Sequence, residues 1–181
     1  QRDVNIQNIG HYLINSGGKR LRPIFTILSA KLFDYKGNKH IYVATSVELI
    51  HTATLLHDDV VDESNTRRGK KTVNYQWNNK YAILVGDFLF SQAFKKMVST
   101  DSIEVLNTLS NASSIISEGE VKQLANIGNL EITKKEYYDV ISGKTAELFA
   151  AACKTGAIVS NQDTNTIAKL YDIGLNAGIA F

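Results

Sequence analysis

Cysteine and proline are almost absent from this sequence of 181 residues, which contains one of each. A single cysteine, Cys153, cannot form a disulfide within the chain, and this composition is typical of proteins of a reducing compartment. A single proline, Pro23, leaves long stretches without a residue that interrupts helices. The two scarcities favour a helical protein of the cytoplasm.

The sequence also lacks an excess of one charge and a long apolar run. Its 20 Lys and Arg residues and 18 Asp and Glu residues give a net charge of +2, so the composition does not predict general binding to nucleic acid. The most apolar long stretch, residues 81–94, contains Asp87 and is shorter than the roughly 20 residues that a helix needs to cross a bilayer. We therefore expect no nucleic-acid partner and at most a peripheral membrane contact.

Apolar residues recur at intervals of three and four along most of the chain, which is the spacing of one helix face. The pattern predicts a single all-α domain over 1–181, a helical bundle that can house a site at its centre. Pro23 is expected to open the second helix, Asp101 to cap the fifth, and Thr133 with Glu136 to form a capping box. No strand is expected. The predicted helices cover about 3–15, 23–35, 41–64, 78–98, 101–126, 133–160 and 163–181.

Three aspartates follow one another closely at the end of the third predicted helix. Asp58 and Asp62 are four residues apart, so their side chains project from one face, whereas Asp59 lies about 100° around the helix. Carboxylates without a neighbouring cysteine favour Mg²⁺, which typically takes one or two protein carboxylates and fills its shell with water and phosphate. The residues alone leave open a solvated helix end without a metal.

Basic side chains lie beside this acidic cluster and in a second segment. Arg67 and Arg68 follow the third helix, and arginine binds phosphate oxygens through two donors at once. Lys19, Arg20 and Arg22 precede the second helix, where cations are expected only if an anion lies between them. Surface ion pairs and an ordinary basic loop are the alternatives that these patterns leave open.

Two further segments contain candidate residues with weaker signals. Residues 142–147, SGKTAE, place Lys144 and Thr145 in a predicted helix but lack the upstream glycine and strand of a phosphate-binding P-loop. Gly143 is unfavourable in a helix, which suggests close approach of a ligand or another helix. His51 lies two helical turns before Asp58, and a lone histidine on an apolar helix is more often a core residue than a ligand.

Taken together, these segments resemble the trans-prenyltransferase, or polyprenyl diphosphate synthase, family. The resemblance extends over most of the chain, and one departure is Asn78, where the family commonly has glycine. Five motifs occur in the family's order: GGKRLRP, ELIHTATLLHDDVVDESNTRRG, WNNKYAILVGDFLF, EGEVKQL and YYDVISGKTAELFAAACKTGA. The resemblance implies an isoprenoid-synthase-type helical bundle.

The resemblance also implies roles for individual residues. Those corresponding to contacts of isopentenyl diphosphate are Lys19, Arg22, His51 and Arg68. Those corresponding to contacts of the allylic diphosphate are Arg67, Lys144 and Thr145, and the magnesium ligands are Asp58 and Asp62, with Asp59 beside them. The implied catalytic set is Asp58, Asp62, Arg67 and Lys144.

The implied reaction is the magnesium-dependent ionisation of the allylic diphosphate, followed by head-to-tail alkylation of isopentenyl diphosphate. Family members set the floor of the product pocket partly through the residues four and five before the aspartate motif. Here these are Thr54 and Ala53, and neither is bulky. We therefore expect a medium- or long-chain product, such as the octaprenyl class used for quinone side chains. The resemblance also implies a homodimer.

The family has a second aspartate-rich motif after a phenylalanine–glutamine pair, and this sequence stops at Phe181. We expect the domain to be incomplete at its C-terminus. Two alternatives remain: a non-catalytic subunit of a heteromeric synthase, and a helical metal-dependent phosphohydrolase using His57 and Asp58 with His51. The second would need a further histidine and a distant aspartate as ligands, and His11 and His40 lie in a polar helix and a loop.

Overall fold

A computed structural model describes residues 4–129 and 131–181. The protein is all-α, as the sequence predicts, with one two-stranded sheet among the described residues. The helices are α1 (Val4–Asn15), α2 (Leu21–Lys31), α3 (Lys39–Val61), α4 (Val73–Gln76), α5 (Asn79–Val98), α6 (Ile103–Ala125), α7 (Lys134–Ile141), α8 (Glu147–Val159) and α9 (Thr164–Ala180). The strands are β1 (Thr66–Arg67) and β2 (Lys70–Lys71).

The chain divides into two compact units. Unit 1 comprises the chain up to Arg20 together with Glu48–Ala93, and unit 2 comprises Leu21–Val47 and Phe94–Phe181. The boundaries fall at the start of α2, within α3 and within α5. The expectation of a single domain stays a prediction.

The core of unit 1 is built from apolar side chains of α1, α3, α4 and α5. Its buried members are Ile9, Leu56, Val73, Ala82 and Val85. The ring of Trp77 packs edge-on against Tyr12, with centroids 5.3 Å apart. These contacts fix the end of α1 and the second half of α3, the two segments that flank the predicted anion-binding residues.

Helix α8 is the central helix of unit 2. All of its residues except Lys154 are buried, and it contacts α2, α6 and α9. A helix that is apolar on all sides is expected in such a buried position. The hydroxyl of Tyr171 in α9 donates to Glu147 Oε2 at 2.7 Å, which satisfies a buried carboxylate. Burial and this carboxylate raise the pKa of Tyr171.

Helices α7 and α8 are joined by a π-helical segment, Ser142–Ala146, so one continuous helix runs from Lys134 to Val159. The sequence predicts this helix without the π turn. Its capping box is confirmed, because Thr133 accepts from the amide of Glu136 and the Glu136 carboxylate accepts from Thr133. The N-cap of α9 is Asp163, where the sequence places the start of the last helix.

Four local predictions are wrong. Helix α2 begins at Leu21, two residues before Pro23. The proline still lies in the first turn, where backbone N–H groups have no hydrogen-bond partner within the helix, so its missing N–H costs no bond. The cap of α6 is Ser102, whose hydroxyl accepts from the amide of Val105, whereas Asp101 has a φ of +52°. Helix α2 ends earlier than expected, and the segment after α3 contains strands β1 and β2. The predicted start of α1 at Asp3 lies outside the described residues.

Within residues 4–129 and 131–181, no helix is both long enough and apolar enough to cross a membrane.

Candidate active site

A short hairpin follows α3 in unit 1. Thr66 pairs with Lys71 and Arg67 with Lys70, so Arg68 and Gly69 form a two-residue loop. Both have a positive φ, +53° for Arg68 and +74° for Gly69. This is the requirement of a type I′ turn, in which asparagine or glycine is usual at the first position. Arg68 therefore occupies a backbone conformation that is unfavourable for its residue type.

Three hydrogen bonds attach the hairpin to the end of α1. The Tyr12 hydroxyl donates to the carbonyl oxygen of Lys71, and Lys70 Nζ donates to that of Asn15, each at 2.6 Å. Arg68 Nη1 donates to the carbonyl oxygen of Gly17 at 2.6 Å. Because Asn15 ends α1, the lysine satisfies a carbonyl that has no partner within the helix.

The Arg68 guanidinium lies directly against Gly18. A Cβ atom at Gly18 would be 2.5 Å from Arg68 Nη1, and Gly18 has a φ of +133°. Any side chain at Gly18 would therefore displace the Arg68 guanidinium, which explains why a glycine is needed at this position before Lys19. The structure brings Arg68 to the segment that precedes Lys19 within unit 1.

Arg67 is paired with Asp59. Its Nε and Nη2 donate to Asp59 Oδ1 at 2.9 and 2.8 Å, and Asp59 is buried. The side chain of Asn74 donates to the main-chain carbonyls of Asp59 and Ser64, both at 3.1 Å. These bonds fix the end of α3 and hold Arg67 beside it. Asp59 serves here as an arginine partner.

Asp58 and Asp62 lie one turn apart at the end of α3. The amide of Asp62 donates to the carbonyl of Asp58 at 2.7 Å, so the helical turn continues through Asp62 although α3 ends at Val61. Asp58 is half-buried and Asp62 exposed. In the part of the chain that the structure describes, no three His, Cys, Asp or Glu side chains form a group that could hold a metal. Any ion here would rest on this pair of carboxylates.

Unit 1 contains a cavity of about 390 Å³. The apolar residues of its lining are Leu13, Ile14, Leu49, Leu55, Leu56, Val73 and Leu89. The charged or polar residues of its lining include Arg20, Glu48, His51, Asp59, Arg67, Arg68 and Lys71. The cavity therefore combines room for an apolar group with a group of cations beside the acidic end of α3.

His51 lines this cavity, whereas Ala53 and Thr54 are not among its lining residues. Ala53 is fully buried, and the hydroxyl of Thr54 donates to the carbonyl of His51 at 2.8 Å. The role of Ala53 and Thr54 in a product pocket stays a prediction.

The remaining cations of the GGKRLRP segment are divided between the units. Lys19 is exposed in the loop after α1, in unit 1. Arg22 belongs to unit 2, in the first turn of α2, and its guanidinium carbon lies 4.5 Å from the ring centroid of Phe149. Their predicted roles are not tested by these positions.

Lys144 and Thr145 lie in the π-helical segment of unit 2. Both are half-buried, and Lys144 Nζ donates to Glu120 Oε2 at 2.9 Å. Isolated π turns inside α-helices are frequent at functional sites. The sequence predicts close approach of a ligand or another helix at Gly143, and a Cβ atom there would lie 3.4 Å from the carbonyl oxygen of Ile115 in α6.

Sequence reasoning missed an ion pair that lines the cavity. Arg20, with a φ of +52°, pairs with Glu48 and also donates to the carbonyl of Ile14 at 3.3 Å. The signal that could have found Glu48 is its position one helical turn before His51. Lys71 was also missed, and nothing in its local sequence distinguishes it from a surface lysine.

The phosphohydrolase alternative receives no support from the described residues. The ring of His57 is directed to α5, with Nε2 at 3.1 Å from the carbonyl oxygen of Ile83 and 3.5 Å from Asp87 Oδ1. His11 is exposed and His40 buried, and neither belongs to a metal-binding group within the described ranges.

Comparison with known proteins gives consistent matches. The family model described as polyprenyl synthetase matches residues 3–181. The octaprenyl diphosphate synthase of Escherichia coli is 46% identical over 180 residues, which are 99% of this chain and 56% of that protein. A decaprenyl diphosphate synthase structure from Rhodobacter capsulatus superimposes with a TM-score of 0.95 at 48% identity, covering 97% of this chain and 54% of that one.

A polyprenyl synthase structure from Caulobacter crescentus, complexed with calcium and isoprenyl diphosphate, also has a TM-score of 0.95. It is 46% identical, and the match covers 98% of this chain and 55% of that one. The chain thus spans little more than half of the length of each of these three relatives.

Proposed function

The chain belongs to the polyprenyl synthetase family, and on that premise we propose that the protein is a polyprenyl diphosphate synthase. It condenses isopentenyl diphosphate head-to-tail with an allylic prenyl diphosphate and so lengthens the allylic substrate by one isoprene unit. The alternative of a non-catalytic subunit differs only in lacking this turnover.

The observation that carries the proposal is the cavity of unit 1. Its lining includes the charged or polar residues His51, Arg67 and Arg68 together with several apolar side chains. Isopentenyl diphosphate likewise has both a charged diphosphate and a five-carbon apolar group. Apolar pockets with a few convergent polar groups are typical of small-molecule sites. We assign this cavity to isopentenyl diphosphate, with Lys19 and Arg22 as further diphosphate contacts.

The end of α3 fits a magnesium site. Asp58 and Asp62 offer hard oxygen donors one helical turn apart, and Mg²⁺ commonly takes only one or two protein carboxylates. When bound, the ion neutralises negative charge that develops on the departing diphosphate. The Caulobacter relative, complexed with calcium and isoprenyl diphosphate, supports a divalent metal in this family.

Arg67 is proposed to contact the allylic diphosphate while it remains paired with Asp59. A guanidinium has five N–H donors, and the two bonds to Asp59 use two of them. Asp59 thus holds Arg67 in place, and the remaining N–H groups of the guanidinium can still donate to phosphate oxygens. Lys144 and Thr145 are proposed as further contacts of the same diphosphate.

The chemistry assigned to the substrates is a substitution in two steps. The bond between the allylic carbon and its diphosphate oxygen breaks, and the diphosphate leaves with the electron pair. The double bond of isopentenyl diphosphate attacks the allylic cation, and a proton is then lost to the departed diphosphate. The chain's own residues hold the two diphosphates in place, stabilise charge on the leaving group and exclude water that would quench the cation.

A medium- or long-chain product is proposed, such as the octaprenyl diphosphate that supplies quinone side chains. Ala53 and Thr54 are small, so they would not block a growing tail one turn before the aspartates. The similarity to an octaprenyl diphosphate synthase supports this length. We further propose a cytoplasmic homodimer with at most a peripheral membrane contact.

The proposal is tested with the full-length protein, labelled isopentenyl diphosphate, farnesyl diphosphate and Mg²⁺. Asp58→Asn is expected to lower the turnover by about 100-fold or more, because it removes charge from the metal site. The matched control is Asp34→Asn, which changes a carboxylate that is 93% exposed and should leave turnover unchanged. Equal turnover of wild type and Asp58→Asn would contradict the assigned metal site, and an inactive, folded wild type would favour the non-catalytic subunit.

A further inference from the structure

The ion pair between Lys144 and Glu120 differs from the surface ion pairs of the chain. It joins the π-helical segment to α6 across 24 residues, with Lys144 Nζ 2.9 Å from Glu120 Oε2. The two side chains are only 26% and 25% exposed. By contrast, the side chains of the Lys135–Asp139 pair are 86% and 55% exposed. A pair that is largely removed from water is screened less and restricts its lysine more.

The backbone brings Glu120 to this position through two glycines. A Cβ atom at Gly119 would lie 3.1 Å from the amide nitrogen of Lys144, and one at Gly143 would lie 3.4 Å from the carbonyl oxygen of Ile115. Helix α6 and the π turn are therefore in backbone contact. Because Glu120 follows Gly119 directly, this contact sets the distance between its carboxylate and the lysine.

The π turn itself contributes to the placement of Lys144. It inserts an irregular turn, Ser142–Ala146, between two regular helices, and so changes the direction in which the following side chains project. The turn contacts α6, α7 and α9. Lys144 is thus fixed at its backbone by the turn and at its ammonium group by Glu120.

We propose that Glu120 is a positioning residue that orders the Lys144 ammonium for the allylic diphosphate. The inference rests on the proposed function, in which Lys144 contacts that diphosphate. An ammonium group has three donors, so Lys144 can keep one bond to Glu120 and direct the others to phosphate oxygens. A lysine that is ordered beforehand loses less conformational freedom when the substrate binds. Glu120 acts through Lys144 and touches no substrate.

The test compares Glu120→Ala and Glu120→Gln with the wild type in the full-length protein, using farnesyl diphosphate and isopentenyl diphosphate. Glu120→Ala is expected to raise the KM for farnesyl diphosphate about fivefold to tenfold, because binding must then order the Lys144 side chain, and to leave the KM for isopentenyl diphosphate unchanged. Glu120→Gln should restore much of the affinity, because its amide oxygen still accepts a hydrogen bond. Calorimetric binding of farnesyl diphosphate alone should follow the same order.

The matched control is Glu118→Gln, which removes a carboxylate from the exposed side of the same helix and should change neither KM. Thermal melting of each variant reports folding, and Glu120→Leu, which also cannot accept a hydrogen bond from Lys144, replaces Glu120→Ala if that variant does not fold. Equal effects on both KM values, or no effect of Glu120→Ala, would overturn the positioning role. A folded wild type that makes no elongated product would instead contradict the proposed function. The positioning role of Glu120 rests on that function and would then be contradicted as well.

Discussion

Arg68 is held in a backbone conformation that costs an arginine about 1–2 kcal/mol relative to the right-handed region. The hairpin register imposes this conformation, since both residues of the two-residue loop have a positive φ. In this conformation the guanidinium donates to the carbonyl oxygen of Gly17 and lines the cavity. Residues in such sparsely populated conformations cluster at functional sites, which agrees with the role proposed for Arg68.

Replacing Arg68 by asparagine should separate stability from binding. Asparagine tolerates the left-handed conformation, so relief of strain offsets the lost hydrogen bond to Gly17, which is worth about 0.5–1.5 kcal/mol. The free energy of unfolding should therefore change by less than about 1 kcal/mol. The KM for isopentenyl diphosphate should rise about tenfold or more, because a charge-assisted phosphate contact is lost. Denaturant unfolding and steady-state kinetics measure the two quantities, and an unchanged KM would contradict the assignment.

His40 makes the stability of unit 2 depend on pH. Burial, and then the charge of Lys31, lower the pKa of His40 below its ordinary value of 6.5. Just below pH 6.5 the unfolded chain therefore binds more protons at this residue than the folded protein does. The free energy of unfolding falls as the pH decreases through this interval and levels off below the pKa of the folded state.

His40→Gln should flatten this fall, as measured by urea unfolding at several pH values between 7 and about 5, the interval in which a histidine with a lowered pKa titrates. The control is His11→Gln, which changes an exposed histidine of α1. The assignment is wrong if the pH dependence of His40→Gln matches that of the wild type.

At the scale of residues, local sequence indicated part of the site. The i, i+4 spacing of Asp58 and Asp62 and the adjacent arginines were sufficient to predict an acidic helix end beside cations. The pair of Arg20 with Glu48 spans 28 residues, and such a contact depends on the packing of α1 and α3. The partners of Arg67 and Lys144 could not be predicted for the same reason.

The elements of unit 2 approach one another through glycines. A Cβ atom at Gly174 of α9 would be 2.5 Å from the carbonyl oxygen of Phe149 and 2.7 Å from the Cα atom of Ala150. At Gly156 of α8 the nearest atom would be the carbonyl oxygen of Thr26 in α2, also at 2.5 Å. These neighbours are backbone atoms, which cannot move aside as the end of a flexible side chain can. The three helices therefore depend on small residues at their contacts.

Gly174→Ala should consequently destabilise the protein by about 1–3 kcal/mol, the usual cost of overpacking a close-packed contact. The matched control is Gly10→Ala in α1, where an added Cβ would meet nothing within 4 Å. That substitution should stabilise the helix by about 0.5–1 kcal/mol, since alanine is the better helix former. Chemical denaturation measures both changes. A neutral or stabilising Gly174→Ala would show that α8 and α9 can separate at little cost.

At the scale of elements, caps were predictable and irregularities were not. The capping box of Thr133 and Glu136 and the Asp163 cap follow from side chains that satisfy nearby amides. The Ser102 cap was assigned one residue too early because aspartate and serine are both good capping residues. The hairpin was missed because an Arg68–Gly69 turn lacks the usual asparagine. The π turn was not predicted, although Gly143 indicated the close approach that is observed between this segment and Gly119 of α6.

At the scale of the whole molecule, the order of the motifs identified the family. Five segments in one order are far more specific than any single segment, and the family model matches residues 3–181. The all-α class followed from the apolar spacing alone. The product length and the oligomeric state depend on contacts beyond local sequence, so they remain proposals.

The most direct test of the account is the product distribution of the full-length wild type. Labelled isopentenyl diphosphate is supplied with farnesyl diphosphate and Mg²⁺, and the products are separated by chain length. The expected products are labelled prenyl diphosphates longer than farnesyl diphosphate, in a series that ends at one defined medium- or long-chain product. Label that remains in isopentenyl diphosphate, with the protein folded and both substrates bound, would contradict it.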